Sequence, residues 1–191
     1  MAQSYSLAVY AITINTRGNK NDLMVLSDFN NGQDILQYIG EMIEKWKKDE
    51  SRGDEHVPVN CDGDTNEGSA FRLSHNADGS YCLHKRGRYL MGILETGEYG
   101  TQEDGVNITT GEVTFHKSPD EALMKPFFFM FHIPTDSRIG YLITERISNY
   151  GIMTVLNNAI IKHFKDTPSD KDYVKKTGET VTVKRSRLLQ F

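Results

Sequence analysis

The two stretches KPFFFMFHIP, residues 125–134, and IGYLITERI, residues 139–147, decide the fold of this chain. The first is bounded by prolines and filled with aromatic residues, which favour strands, so it predicts a short strand buried on both faces. The second alternates side chains with a period of two, which is typical of a strand. The polar turn Thr135–Ser137 separates them. Together they predict a β-hairpin at the centre of the molecule.

An amphipathic helix follows the predicted hairpin. Its apolar residues recur at spacings of three and four, the pattern of one helix face. They are Ile152, Val155, Leu156, Ala159, Ile160 and Phe164. We expect this helix to lie across the hairpin and to form the structural nucleus with it.

The remaining segments add one helix and several strands. Residues 33–48 show a helical apolar face, with Asn31 or Asp34 as the capping residue. Residues 4–15 are apolar on both faces and predict a strand inside the sheet. Gly92 indicates a bulge or a close backbone approach within its strand. Further strands are predicted at residues 70–74, 81–85, 88–95, 106–109, 112–116 and 180–188, and a short helix opens at Ser118-Pro119-Asp120-Glu121.

This order of elements predicts an α+β fold. Strands outnumber helices and do not alternate regularly with them, which favours an antiparallel sheet, and Asp78-Gly79 predicts a hairpin turn between two strands. We expect a mostly antiparallel sheet of seven or eight strands, two main amphipathic helices and one short helix. The length suits a single domain over residues 1–191, with a long polar loop at residues 49–69.

Composition and charge narrow the functional classes. The formal net charge of -4 argues against a protein that coats nucleic acid non-specifically, because such binding depends on Lys and Arg. No apolar run approaches the roughly 20 residues that span a bilayer, so we expect no membrane segment. Two cysteines, Cys61 and Cys82, make no disulfide framework, and the first residues lack the pattern of a signal peptide. We therefore expect a cytoplasmic protein.

The sequence predicts neither a metal site nor a cofactor. Asp62-Gly63-Asp64 opens like a calcium loop, but Glu67 and Leu73 stand where that loop needs glycine and glutamate. Zinc ligands would have to come from Cys61, Cys82, His56, His75 and His84. Their spacings do not match the usual zinc turns. A shared strand face for Cys82 and His84 keeps zinc as an alternative to reduced thiols and surface histidines.

No recognised catalytic motif occurs, which leaves open whether the protein is an enzyme. The chain has no nucleophile elbow, phosphate-binding loop or His-Glu-x-x-His motif. His132 with Glu145 is the first acid–base candidate, although a histidine in an apolar strand is more commonly a hydrogen-bonded core residue. If the protein is an enzyme, a metal-dependent nuclease comes first, with Glu95, Glu98 and Asp104 holding magnesium.

Two basic clusters are candidates for nucleic-acid binding. Lys85, Arg86 and Arg88 lie near Tyr81 and Tyr89. The second cluster contains Lys184, Arg185 and Arg187. If neighbouring strands bring the clusters together, they form a positive patch with aromatic faces for base stacking. The alternative is that these residues protect exposed sheet edges from aggregation.

The order of several segments resembles uncharacterised bacterial families encoded near phage-defence genes. The likeness covers residues 80–165. It consists of the glycine-punctuated region 88–100, Ser-Pro-Asp-Glu-Ala, the phenylalanine-rich strand ending in Ile-Pro, and Gly-Tyr-Leu-Ile-Thr-Glu-Arg with Asn-Tyr-Gly before a helix. These motifs are structural and transfer no catalytic residue. The resemblance implies a component of an antiviral or mobile-element system.

The leading hypothesis is a non-enzymatic recognition module, one subunit of a bacterial antiviral system, that binds a protein partner through loops at residues 49–69 and 97–106. The alternative is a metal-dependent nuclease or an RNA- or DNA-binding protein. A third hypothesis is a homodimer, because two helices do not cover every apolar strand face.

Overall fold

The structure, a computed structural model, describes residues 4–16, 19–29, 32–47, 68–166, 169–174, 180–185 and 188–190. Within these ranges, only the main chain is described for residues 16, 19–22 and 45–47 and for those after 161. The polar loop predicted at residues 49–69 therefore lies almost wholly outside the described residues. Its last two residues, Gly68 and Ser69, already belong to a strand.

The fold is α+β, as predicted, and all of its described strand pairs are antiparallel. The strands are β1 (Tyr5–Thr16), β2 (Asn19–Leu23), β3 (Gly68–Leu73), β4 (Leu83–Arg86), β5 (Tyr89–Tyr99), β6 (Glu103–Val106), β7 (Val113–Lys117), β8 (Lys125–His132), β9 (Gly140–Ile147), β10 (Tyr150–Gly151), β11 (Ser169–Val174), β12 (Thr180–Arg185) and β13 (Leu188–Gln190). The helices are α1 (Ile35–Lys47) and α2 (Met153–Asp166), with a 3₁₀ helix at Leu26–Asp28.

Nine of the described strands form the main sheet. Its order is β13-β1-β9-β8-β5-β3, with β2 paired to β1, β10 to β9 and β4 to β5. Two further two-stranded sheets consist of β6 with β7 and of β11 with β12. The strand predicted at residues 180–188 is thus divided between β12 and β13, which belong to different sheets.

The predicted central hairpin is confirmed as β8 and β9, with Phe131 opposite Leu142. Phe127, Phe129 and Phe131 are buried, and we call their side of the main sheet the inner face. The alternate residues of β8 point to the opposite, outer face and are only half-buried. The prediction that this strand is buried on both faces is therefore wrong.

Both helices pack on the inner face, which explains this asymmetry. The described residues of the predicted α2 stripe, Ile152, Val155, Leu156, Ala159 and Ile160, are all buried in the same core as the three phenylalanines. Phe164 lies outside the described side chains. Asp34 is the capping residue of α1, because its Oδ1 accepts a hydrogen bond from the Leu36 N–H at 2.8 Å.

The first strand, β1, pairs with β9 inside the sheet order, but only the second half of its inner face is buried. Ile12 and Ile14 are buried on the inner face. In contrast, Leu7 and Val9 are 64% and 63% exposed on the outer face. The prediction that β1 is buried on both faces is wrong here, because an apolar run does not distinguish a covered face from an uncovered one.

The turn at Asp78-Gly79 is present and closes an antiparallel bridge between His75 and Tyr81, but the strands β3 and β4 on either side of it do not pair with each other. Instead, β3 pairs with residues 94–99 of β5 and β4 with residues 89–92, along the same edge. Residues 74–82 leave this edge, and we call them the excursion. Ile93 bonds to both of its ends, accepting from the Ser74 N–H and donating to the Cys82 carbonyl, each at 3.0 Å.

Two other local predictions are wrong. The short helix expected at residues 118–121 is a turn, in which the Glu121 carboxylate accepts from the Ser118 N–H at 2.8 Å. The turn cannot extend into a helix because β8 begins at Lys125. The loop expected at residues 97–106 is largely strand, since β5 runs to Tyr99 and β6 begins at Glu103.

The close approach predicted at Gly92 yields a test of the fold. A β-carbon there would lie 2.4 Å from the Cys82 carbonyl oxygen and 3.1 Å from the Phe129 ring. We expect Gly92→Ala to lower the free energy of unfolding by about 1–3 kcal/mol, measured by urea denaturation.

The matched control is Gly40→Ala in α1, where a β-carbon meets nothing within 4 Å. It should raise the free energy of unfolding by up to about 1 kcal/mol, because alanine is the better helix former. Equal effects of the two substitutions would contradict the packing described around Gly92.

Candidate functional site

The predicted acid–base pair His132 and Glu145 is not assembled. The register places His132 opposite Tyr141, four residues from Glu145 along β9, which corresponds to about 13 Å at the usual rise of a strand. The Glu145 carboxylate instead accepts a hydrogen bond from the Phe128 N–H at 3.0 Å. The prediction fails because sequence alone does not fix the register of a hairpin.

The three carboxylates proposed to hold magnesium are also apart. Glu95 and Glu98 lie on opposite faces of β5, since they are three residues apart on one strand. Asp104 lies in the β6–β7 sheet, where its Oδ1 is 2.7 Å from His116 Nδ1. Among the described residues, no group of three or more His, Cys, Asp or Glu side chains is close enough to hold a metal ion.

Glu95 has a structural partner in place of a metal. Burial alone would raise its pKa, but hydrogen bonds from Arg72 at 2.7 Å and Ser74 at 2.8 Å, with the charge of Arg72, hold the pKa below its ordinary value. The carboxylate is therefore ionised and engaged at neutral pH. It links β5 to β3 across the outer face.

Only some of the candidate zinc ligands lie within the described residues. Cys61 and His56, like Asp62 and Asp64 of the calcium-like loop, lie outside the described residues. Cys82 Sγ is 2.8 Å from Asn76 Oδ1, and the rings of His75 and Tyr81 lie 4.4 Å apart. These contacts hold the excursion together.

The basic clusters are not joined by neighbouring strands. The strand of Lys184 and Arg185, β12, pairs with β11 in a separate sheet, and their side chains, like Arg187, lie outside the described part of the chain. Lys85 and Arg86 are exposed on β4, which pairs with β5 of the main sheet.

Arg88 has a structural role that the basic-cluster prediction missed. Its guanidinium forms an ion pair with Asp34, the capping residue of α1, and its Nε donates to the Ile133 carbonyl. It therefore ties the start of α1 to the end of β8. Three of its five N–H groups are thereby engaged within the fold.

An aromatic row crosses the outer face at one end of the sheet. Register aligns Arg86 with Tyr89, Tyr89 with His132 and His132 with Tyr141 across four strands. The Tyr89 and His132 rings stack at 4.3 Å, and the Tyr141 ring lies 6.3 Å from that of His132. Tyr89 and Tyr141 are 38% and 41% exposed. This row of Arg86, Tyr89, His132 and Tyr141 is accessible from solvent.

A second feature is the open edge of β1. Residues 5–12 pair with β9 on one side, whereas β13 occupies the other side only at residues 13–15. Among the described residues, no strand pairs with this side from Ser6 to Ile12. Every second residue of an antiparallel strand directs its N–H and C=O groups to one side. The edge therefore presents main-chain groups that another strand can bond.

The open edge lacks the usual protection against pairing. Natural sheets place charged residues, proline or bulges on exposed edges. The sequence from Ser6 to Ile12 is SLAVYAI, with no charge and no proline, and Leu7 and Val9 are exposed to more than 60% beside it. This combination marks a contact surface, because an apolar edge left open is prone to association.

A third feature is a half-open cleft of about 470 Å³, which we call the lysine cleft. Its walls come from the end of β5, the start of β3, the end of β7, the start of β8, β10 and the first turn of α2. Lys117 lines it with only 2% of its side chain exposed, and its Nζ donates to Glu103 at 2.8 Å and Thr101 at 3.1 Å. The Lys117 and Thr101 hydrogen bonds and the Lys117 charge lower the pKa of Glu103.

Comparisons with family models, with curated proteins and with solved structures found no match. The helices within the described ranges lack the length and the apolar composition of a membrane-spanning segment.

Sequence reasoning missed two of these three features. The uncharged run from Ser6 to Ile12 was a usable signal for the open edge, but it also fits a fully buried strand. Lys117 carried no signal, because its burial depends on the separate segments that meet around it. The sequence predicts the aromatic row in part. Arg86, Tyr89 and His132 are candidate residues from their sequence context, but the sequence does not place them side by side.

The ion pair between Lys117 and Glu103 in the lysine cleft should make the stability of the fold depend on pH. Because the folded pKa of Glu103 is lowered, its contribution to stability is present above the ordinary glutamate pKa of about 4.3 and is lost as the pH falls through the folded pKa. Glu103→Gln should lower the melting temperature at pH 7, and the difference from the native chain should shrink below about pH 4.

The control is Glu98→Gln, since Glu98 lines the same cleft but its carboxylate makes no hydrogen bond within the described residues. Its melting temperature should stay close to that of the native chain at both pH values. A Glu103→Gln difference that is constant between pH 7 and pH 3 would show that the carboxylate charge does not stabilise Lys117.

Proposed function

We propose that this chain is a recognition module that acts through protein–protein contact by strand addition at the open edge of β1. One observation carries the proposal: an uncharged edge from Ser6 to Ile12 lies beside the exposed side chains of Leu7 and Val9. Strand addition obtains affinity from main-chain hydrogen bonds and specificity from alternate side chains. Both elements are present on this edge.

The occupant that fits best is a second copy of the chain. Antiparallel pairing about a twofold axis at Val9 sets Val9 against Val9 of the other copy and Leu7 against its Ala11. All of these side chains lie on the outer face, because a twofold axis perpendicular to a sheet preserves its faces. The two main sheets then become one continuous sheet, with no charged residue in the contact.

The exposed aliphatic side chains at this edge favour a protein partner over a nucleic acid. Leu7 and Val9 offer neither a hydrogen bond nor a ring for stacking, but they gain free energy when a protein surface removes them from water, at about 25 cal/mol per Å². The net charge of -4 points the same way. The dimer presents two copies of the outer face for recognition.

The biological setting is proposed from the sequence resemblance alone. Likeness to bacterial families encoded near phage-defence genes supports a subunit of an antiviral system, and a cytoplasmic location would suit that role. A phage-plaque assay on cells with and without the Val9→Lys variant tests it. Protection by the native gene that is lost with Val9→Lys supports the setting, and absence of protection by the native gene removes it.

Strand addition is tested by light scattering coupled to size-exclusion chromatography. The native chain should elute as a dimer, and Val9→Lys should be a monomer, because two lysines would face each other at the axis. Because the Val9 side chain is 63% exposed, we expect the Val9→Lys monomer to fold normally. Circular dichroism checks that fold, and Ala11→Lys serves as a second variant.

The matched control is Ile108→Lys, since Ile108 is fully exposed on the β6–β7 turn, away from β1. It should leave the dimer intact. A native chain that is monomeric at all concentrations would overturn the second copy as occupant, as would a dimer that survives both lysine substitutions on β1.

The aromatic row favours a second candidate function, contact with single-stranded nucleic acid. Exposed rings on an antiparallel sheet with helices on the other face are the platform on which many RNA-binding domains stack bases. Arg86 adds a guanidinium at the end of the row, in register with Tyr89. This candidate is independent of β1, because the row lies mainly on β5, β8 and β9.

Fluorescence anisotropy with labelled single-stranded RNA and DNA tests this second candidate. Tyr141→Ala should weaken binding at least fivefold, since stacking on one ring contributes about 1–3 kcal/mol. Phe115→Ala is the control, because Phe115 is 45% exposed but lies on β7. Absence of binding at low salt, or equal loss in both variants, would exclude the row as a nucleic-acid site.

A further inference from the structure

The lysine cleft contains an ammonium group whose hydrogen bonds are incomplete. Lys117 is buried, yet only two of the three N–H donors of its Nζ have partners among the described residues, Thr101 and Glu103. Burying a charged group is costly unless its donors are used. The third donor is therefore a place where a ligand oxygen lowers the free energy.

A second ammonium group stands at the same cleft. Lys125 lines it, and its Nζ lies 4.4 Å from the centre of the Tyr150 ring. The Lys125 ammonium group makes no hydrogen bond within the described residues. Its charge also lowers the pKa of Glu103. Two ammonium groups at one cleft favour an anionic ligand, because hydrogen bonds between charged groups are among the stronger ones.

The cleft also offers a carboxylate that makes no hydrogen bond within the described residues. The Glu103 carboxylate is bound to Lys117, but the Glu98 carboxylate lines the cleft and makes no hydrogen bond within the described residues. Phe127, Leu123 and Val155 line the same cleft and supply an apolar surface. The volume of about 470 Å³ lies within the range of small-molecule sites.

We propose that the lysine cleft binds a small organic molecule with a phosphate or carboxylate at one end and an amine at the other. The anionic end is held by Lys117 and Lys125, and the amine donates to Glu98. This site goes beyond the proposed strand addition and does not depend on it, because no residue of β1 lines the cleft.

Isothermal titration of the full chain with three matched probes tests the site. Phosphoethanolamine carries a phosphate and an amine, β-alanine a carboxylate and an amine, and ethanolamine the amine alone. At least one of the first two should bind tenfold or more tightly than ethanolamine, and the stronger of them identifies the anion. If neither binds at millimolar concentration, the proposal is overturned.

Variants then test whether the probe binds in the lysine cleft. Lys125→Gln should weaken the stronger probe at least fivefold, whereas Lys85→Gln, the same change at an exposed position of β4, should leave its affinity unchanged. Glu98→Gln should weaken that probe but not inorganic phosphate, which lacks an amine. Equal loss in Lys125→Gln and Lys85→Gln would show non-specific attraction to positive charge and overturn the site.

Discussion

The packing of Phe127, Phe129 and Phe131 against two helices is the interaction on which the rest of the structure depends. It places α1 and α2 on the same side of the main sheet and fills that side with buried side chains. Because a sheet has two faces, the other face is left to solvent or to a partner. The exposed side chains of β1 and the aromatic row both follow from this one-sided burial.

Partly buried polar contacts then fix the positions of elements that hydrophobic packing alone would leave adjustable. Arg88 binds Asp34 and the Ile133 carbonyl, which sets α1 relative to the central hairpin. Lys117 binds Glu103, which lies opposite it on β6, and Thr101 just before β6, so it ties the two strands of the β6–β7 sheet to each other at this end. Breaking such a contact leaves a charge without its partner, which costs more than the contact itself contributes.

Periodicity predicted the elements that have strong local patterns. The phenylalanine-rich strand, its partner and both helices lie where their spacing indicated, and so does the α+β class. Register was not predictable, and the separation of His132 from Glu145 depends entirely on it. Exposure was not predictable either, because SLAVYAI fits a covered strand as well as an open one. The lysine cleft needed coordinates, since its walls are distant in sequence.

The excursion at residues 74–82 has a consequence for how the chain tolerates change in length. Its two ends are joined through Ile93, and its tip at Ala77, Asp78 and Gly79 is exposed. Residues added at this tip would not alter the pairing of β3 or β4 with β5, and a longer surface loop adds little entropic cost. The tip is therefore a natural position for an inserted epitope or fluorescent domain, and a place where gene lineages can gain or lose codons without remodelling the sheet.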